Sequence, residues 1–151
     1  MTVRLVDLPV GAPGWDQAFP VLRQLRDHLD RSGFDAIHRA GAAQGLRFTA
    51  AFTDDDPPVC LAVAGWRLVD TASVVRKLYV DDLVVDEGRR SQGIGAVLLD
   101  HLEHVARDHG AHCVELDSGH QRTGAHRFYR SRGYRDTSLK FRKDLSRPEH
   151  R

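Results

Sequence analysis

Cysteine, methionine and tryptophan are scarce in this chain, with 2, 1 and 2 residues in 151. Two cysteines cannot build a disulfide framework. Cys60 and Cys113 lie inside apolar, strand-like runs and read as reduced core thiols, which suits a reducing cytoplasm. No segment approaches the ~20 apolar residues of a membrane helix, and the first residues lack the charged-then-apolar pattern of a signal peptide. The expected location is cytoplasmic, with no membrane partner. Neither charge sign prevails: 22 Lys and Arg face 21 Asp and Glu, a net charge of +1, which gives no general attraction to nucleic acid. Arg127, Arg130, Arg132 and Arg135 form a basic stretch, but the aromatic pattern of RNA-binding modules is missing, so no nucleic-acid partner is expected. Gly-x-Gly-x-x-Gly and Gly-Lys-Ser/Thr are both absent, which argues against a dinucleotide fingerprint and a nucleotide P-loop. Among nine histidines, His101 and His104 are one helical turn apart but lack zinc-protease spacing and companion ligands, so no metal is expected.

Glycine is better represented, and two glycines stand at an informative place. The run Leu78 to Asp86 is apolar and strand-like. It is followed by Glu87-Gly-Arg-Arg-Ser-Gln-Gly-Ile-Gly95, after which Ile94, Val97, Leu98, Leu102 and Val105 recur at helical spacing up to Gly110. A helix start bearing small residues is an anion site: its first N–H groups lack partners, its dipole end is positive, and glycine lets phosphate oxygens approach the backbone.

The rest of the chain reads as a mixed α/β sheet in a single domain over residues 1–145, with a polar tail at 146–151 and no internal repeat. Residues 2–8 alternate as a strand. Ala18, Leu22, Leu25 and Leu29 share a helical face, with Pro20 expected in the first turn, and a weaker helix is expected over 34–44. Strands follow at 46–53 and 59–69, joined by the turn Asp54 to Pro58. A strand over 77–86, a helix over 93–109, a strand over 112–118, a helix over 123–131 and a final strand over 138–144 complete the series.

Leu83, Val85, Arg90, Gly93 and Gly95 resemble the Leu-x-Val-x-Pro-x-x-Arg-x-x-Gly-x-Gly motif of the GNAT superfamily of acetyl-CoA-dependent N-acetyltransferases, with Glu87 in place of the proline. Ala125, Phe128, Tyr129, Gly133 and Tyr134 resemble that family's next signature, Ala-x-x-Phe-Tyr-x-x-x-Gly-Tyr/Phe. The resemblance implies a GNAT-like, mostly antiparallel central sheet flanked by about four helices. It implies acetyl-CoA as acyl donor, a small-molecule amine as acceptor and a homodimer. Within the family, the bacterial small-amine branch is the nearest in character, including aminoalkylphosphonate and polyamine acetyltransferases. Acetylation of a protein or peptide, and an inactive acyl-CoA-binding regulatory module, are the alternative functions.

The same resemblance distributes the roles. Backbone groups of Leu83, Val84 and Val85 pair with the pantetheine arm, and the N–H groups from Ser91 through Gln92, Gly93, Ile94 and Gly95 to Ala96 hold the pyrophosphate, with Arg90 adding charge. Ala125 contributes to the same cofactor site, and Arg122 stands where many members carry asparagine. Tyr129, protonated at neutral pH with a reference pKa of about 10, is the candidate acid for the leaving thiolate. Helix packing is the alternative role for its ring. Asp81 and Asp82 are unusual in a strand, because adjacent residues point to opposite faces unless the strand bulges. One of them, or Glu115, would draw in the acceptor ammonium and take its proton, and Asp81 ranks first because it is expected to share a face with Leu83 and Val85. An ion pair to Arg76 or Lys77 is the alternative.

Overall fold

The computed structural model describes residues 2–146. Its elements run β1 (Val3–Asp7), α1 (Trp15–Leu25), α2 (Arg31–Ala42), β2 (Arg47–Thr53), β3 (Cys60–Thr71), β4 (Val75–Val85), a single 3-10 turn (Glu87–Arg89), α3 (Ile94–Asp108), β5 (Cys113–Leu116) and α4 (Thr123–Ser131). The five strands form one sheet in the order β1-β2-β3-β4-β5. The first three pairings are antiparallel and β4–β5 is parallel. The parallel pairing follows from the helical crossover α3, since a parallel neighbour cannot be reached by a hairpin. This is the mixed α/β sheet read from the sequence, mostly antiparallel and with four helices as the resemblance implies.

Two apolar layers sandwich the sheet. On one face, Trp15, Ala18, Phe19 and Leu22 of α1 and Phe34 of α2 pack against Phe48, Ala50, Phe52, Val63 and Val84. On the other, Ile94, Leu98, Leu102 and Ala106 of α3, spaced one turn apart, pack against Ala51, Ala62, Ala64, Trp66, Leu78 and Val80. Covered on both faces, β2 is buried at every position after Arg47, and β3 is buried from Cys60 to Trp66.

Four expectations need correction. The weaker helix begins at Arg31, because Asp30 caps it by accepting the Gly33 N–H at 2.7 Å. Pro20 lies inside α1 rather than in its first turn. Leu29 is buried but falls beyond the C-terminus of α1. Residues 138–144 form no strand: this stretch has no sheet partner, so its alternation is not realised as a ladder. Of the expected tail, residues 147–151 lie outside the described residues.

Candidate active site

Sheet pairing fixes the first feature of the site. β4 and β5 pair from Lys77 opposite Cys113 to Val80 opposite Leu116, and there the parallel ladder ends. β4 continues to Val85, paired with β3 on one edge only, Leu83 opposite Ala64 and Val85 opposite Ala62. Beyond Val80 the second edge of β4 therefore offers backbone donors and acceptors that no strand among the described residues uses, the kind of edge to which an extended, amide-bearing molecule adds as a strand does.

A bulge stands where the ladder ends. Trp66 pairs with Val80 and Gly65 with Asp82, so Asp81 is the extra residue in β4. The extra residue reverses the alternation. Leu78 and Val80 before it, and Leu83 and Val85 after it, all pack in the α3 layer. Both carboxylates consequently reach partners of the opposite face. Asp82 receives the Arg26 guanidinium from the C-terminus of α1 at 2.6 Å. Asp81 is held in a two-pronged pair by Arg67 at 2.8 and 2.9 Å, and Arg67 in turn lies over the Tyr79 ring. This overturns the expectation that Asp81 shares a face with Leu83 and Val85. It also replaces Arg76 and Lys77 as ion-pair partners: Arg76 pairs with Asp70, and Lys77 with Glu115 at 2.8 Å.

Gly65 makes room for this arrangement. A methyl there would lie 2.7 Å from the Phe48 ring and 3.1 Å from Asp82 Oδ2, so a larger residue would push the carboxylate aside. Burial raises the Asp82 pKa, and the Arg26 charge opposes the shift. Arg26 also donates to the Asp81 carbonyl at 3.2 Å, clamping the bulge itself. Two residues earlier, Gln24 donates to Asp86 at 2.7 Å and accepts the Glu87 N–H at 2.9 Å, fixing the exit from β4.

After that exit the chain passes Arg90, Ser91 and Gln92, all exposed, with Ser91 at φ +67° and Gly93 at φ +79°. Gly93 is the N-cap of α3 in the left-handed region that glycine adopts without a steric penalty, and no side chain caps the helix. The Val97 N–H reaches the Gly93 carbonyl at 3.1 Å, so the N–H groups of Ile94, Gly95 and Ala96 precede the first helical bond and point out of the helix start. Three elements converge at Gly95: a methyl on it would lie 3.4 Å from Val85 of β4 and 3.6 Å from the Phe128 ring of α4.

Phe128 leads to its neighbour Tyr129, whose ring lies 5.4 Å from that of Phe128 and 6.0 Å from that of Tyr134. The Tyr129 hydroxyl makes no hydrogen bond to another described residue. Burial raises its pKa against the opposing charge of Arg122, so it carries its proton throughout the neutral range. Two contacts that the sequence does not announce fix α4 on α3: Tyr134 donates to Glu103 at 2.9 Å, and Arg132 pairs with Asp100. Arg122 and Ala125 sit at and just inside the start of α4, with Arg122 exposed and Ala125 half-buried. Val84 turns its side chain into the α1 layer.

His126 is bonded through its ring to the Gly119 carbonyl at 2.8 Å. Burial pushes the Cys60 thiol up to about 12, and burial with Glu115 nearby raises Cys113, so neither is disposed to ionise as a nucleophile. Among the described residues no cluster of three or more metal-ligating side chains occurs, and no helix is long and apolar enough to cross a membrane.

The residues present fit an acyl-CoA: an open strand edge, a glycine-opened helix start with outward N–H groups, and a protonated phenol on the adjoining helix. Comparison with known proteins agrees. Residues 15–134 match the profile of the Acetyltransferase (GNAT) family, and the chain belongs to that family. It is an acetyl-CoA-dependent N-acetyltransferase. It is 32% identical over 132 residues to the uncharacterized N-acetyltransferase YhdJ of Bacillus subtilis, covering 87% of this chain and 92% of that protein. It is 41% identical over 66 residues to the aminoalkylphosphonate N-acetyltransferase of Salmonella typhimurium, covering 44% of this chain and 43% of that one. Among solved structures, the aminoglycoside N-acetyltransferase AAC(6')-Iy in complex with CoA shares the fold with a TM-score of 0.77 at 14% identity, over 96% of each chain.

Proposed function

We propose that the protein transfers the acetyl group of acetyl-CoA to a primary amine of a small molecule by direct attack within a ternary complex. The observation that carries this reading is the junction at Gly95, where the open edge of β4, the uncapped start of α3 and the Tyr129 helix meet. Leu83, Val84 and Val85 would hold the pantetheine arm by backbone hydrogen bonds, and Ser91 to Ala96, with Arg90, the pyrophosphate. Acetyl-CoA supplies an activated thioester carbonyl. Tyr129, with no competing hydrogen bond and its proton held by burial, donates to the departing thiolate.

Asp82 is better suited than Asp81 or Glu115 to receive the proton of the acceptor ammonium. Burial raises its affinity for a proton and only its Oδ1 is engaged, whereas both oxygens of Asp81 are taken by Arg67 and Glu115 is paired to Lys77. A carboxylate whose proton affinity is raised is the stronger base.

The guanidinium partners of both aspartates bear on the acceptor. With Arg26 and Arg67 already neutralising the acidic pair, the site does not demand a polycation. A monoamine, including one with its own anionic group, is therefore favoured over a polyamine, in keeping with the aminoalkylphosphonate relative. The test begins with a calorimetric titration against acetyl-CoA and free coenzyme A, followed by thiol-release assays comparing an aminoalkylphosphonate with spermidine. Saturable binding of one equivalent and turnover of the aminoalkylphosphonate are expected. Failure to bind acetyl-CoA overturns the site assignment, and preference for spermidine overturns the acceptor class alone.

A further inference from the structure

The bulge at Asp81 turns both aspartates away from the side of the sheet on which α3 starts, so an amine that gives its proton to Asp82 attacks from the opposite side. The layer formed by α1 and α2 covers that second face only in part. Of β4 it reaches Val84 alone, and of β5 nothing. What it leaves open is a polar row beside the bulge. Arg67 of β3 stands opposite Tyr79 of β4, and Tyr79 opposite Glu115 of β5, so the three side chains share a face, and none of them is buried.

The acids of this row are committed within the chain. Asp81 takes both prongs of Arg67 at 2.8 and 2.9 Å, and Glu115 takes Lys77 at 2.8 Å. Asp117 accepts the Tyr79 hydroxyl and pairs with Lys140 at 3.4 Å. Spare hydrogen-bonding capacity lies with a donor instead. Arg67 uses Nε and Nη2 for Asp81, which engages one edge of the guanidinium. Its end, formed by Nη1 and the second Nη2 proton, has no partner among the described residues, and the side chain is 36% exposed.

This end is also held in place. Asp81 fixes the guanidinium along its edge, and the Tyr79 ring supports it with the centroid 5.4 Å away. Arg26, the other guanidinium at the bulge, offers no equivalent. Its Nη2 serves Asp82 at 2.6 Å and the Asp81 carbonyl at 3.2 Å, so no complete end is left over. A fixed planar end with two parallel N–H groups matches the paired oxygens of a carboxylate or a phosphonate.

We propose that Arg67 selects the acceptor, gripping with its free end an oxyanion group carried by the same small molecule whose amine is acetylated. Asp81, which holds Arg67, and Asp82, which faces the amine, are consecutive residues with Cα atoms about 3.8 Å apart, so a short chain between amine and oxyanion spans the two positions. The oxyanion enters without displacing Asp81, because the two use different sides of the guanidinium. This inference rests on the acetyl-transfer reading above and adds to it the residue that reads the acceptor.

The test compares aminoethylphosphonate, β-alanine and propylamine, primary amines of like length of which the last carries no oxyanion. Thiol-release kinetics are measured on the full chain and on Arg67→Gln and Arg67→Lys, with acetyl-CoA affinity followed by calorimetry. In the wild type at least one oxyanion amine should exceed propylamine in kcat/KM by about ten- to a hundredfold, the scale of hydrogen bonds between charged groups. Arg67→Gln should erase that preference through KM, leaving kcat, propylamine turnover and acetyl-CoA affinity within about threefold of the wild type. Arg67→Lys keeps the charge but not the planar end, so it should lose most of the preference too, and it carries the test if Arg67→Gln does not fold. A wild type indifferent to the oxyanion, or one that binds acetyl-CoA and acetylates none of the three amines, overturns the proposal and leaves the cofactor site standing. Retention of the preference in either variant overturns it as well. So does an equal loss of propylamine turnover or of acetyl-CoA affinity, because Arg67 would then act only by holding Asp81. A wild type that does not bind acetyl-CoA overturns the site assignment itself, and this inference with it.

Discussion

Tyr129 combines a protonated phenol with freedom from hydrogen bonds, and its replacement separates chemistry from packing. Tyr129→Phe keeps the ring contacts with Phe128 and Tyr134, so acetyl-CoA affinity should be unchanged while kcat falls by about 10²-fold or more, the usual scale for losing a general acid. Steady-state kinetics with calorimetric binding check this, and an unaltered kcat removes the residue from the mechanism. Asp82→Asn should move the acid limb of the kcat/KM pH profile toward the pKa of the free amine, about 10 for a simple ammonium. Asp81→Asn should leave that limb in place. His38 makes a different point. It is 2% exposed, ringed by Trp15, Phe34 and Phe48, and its Nδ1 has no hydrogen-bond partner. Burial lowers its pKa, so the unfolded chain takes up a proton first as the pH falls. Stability should therefore be full above about pH 6.5, the unfolded histidine value, and decline below it until the folded histidine also protonates. Denaturant unfolding at pH 7.5 and 5.5 measures the difference, and His38→Leu should reduce it.

At the scale of elements, position matters more than composition. The strand β4, the helix α3 and the motif glycines were legible because their signals are local: an apolar run, a 3.6-residue period and glycine spacing just ahead of it. Gly93→Ala forces a Cβ into the left-handed region, a cost of about 1 kcal/mol, and disturbs the helix start. It should weaken acetyl-CoA binding more than it lowers the melting temperature, which calorimetry and thermal unfolding separate. The bulge at Asp81 was not legible. It depends on the register between β3 and β4, with Gly65 opposite Asp82, and a sequence carries no direct mark of a register shift. Arg26 and Gln24 escaped notice for a related reason. They are polar residues near the exposed end of α1, with nothing local to distinguish them from solvated side chains, and they acquire a role only when α1 packs beside the exit of β4.

Across the whole molecule, coverage is uneven. The sheet between α1–α2 and α3 is a well-filled core in which Leu98→Ala, at a site with 0% exposure, should cost about 2–5 kcal/mol in denaturant unfolding. Around β5 and α4 the same sheet is half-covered, and the segment expected as a last strand is extended and unpaired. The alternation of residues 138–144 was a real signal of strand-forming capacity. Whether that capacity is used depends on a partner edge.

The sequence by itself determined the elements from β1 to α4, the glycine-opened helix and the family, because each rests on residue spacing along the chain. Tertiary structure alone decided that both aspartates turn away from the α3 layer, that arginines neutralise them, that burial raises the pKa of Asp82, and that the described sheet ends in an open edge. Those properties are distances between residues far apart in sequence, set by strand register and helix docking.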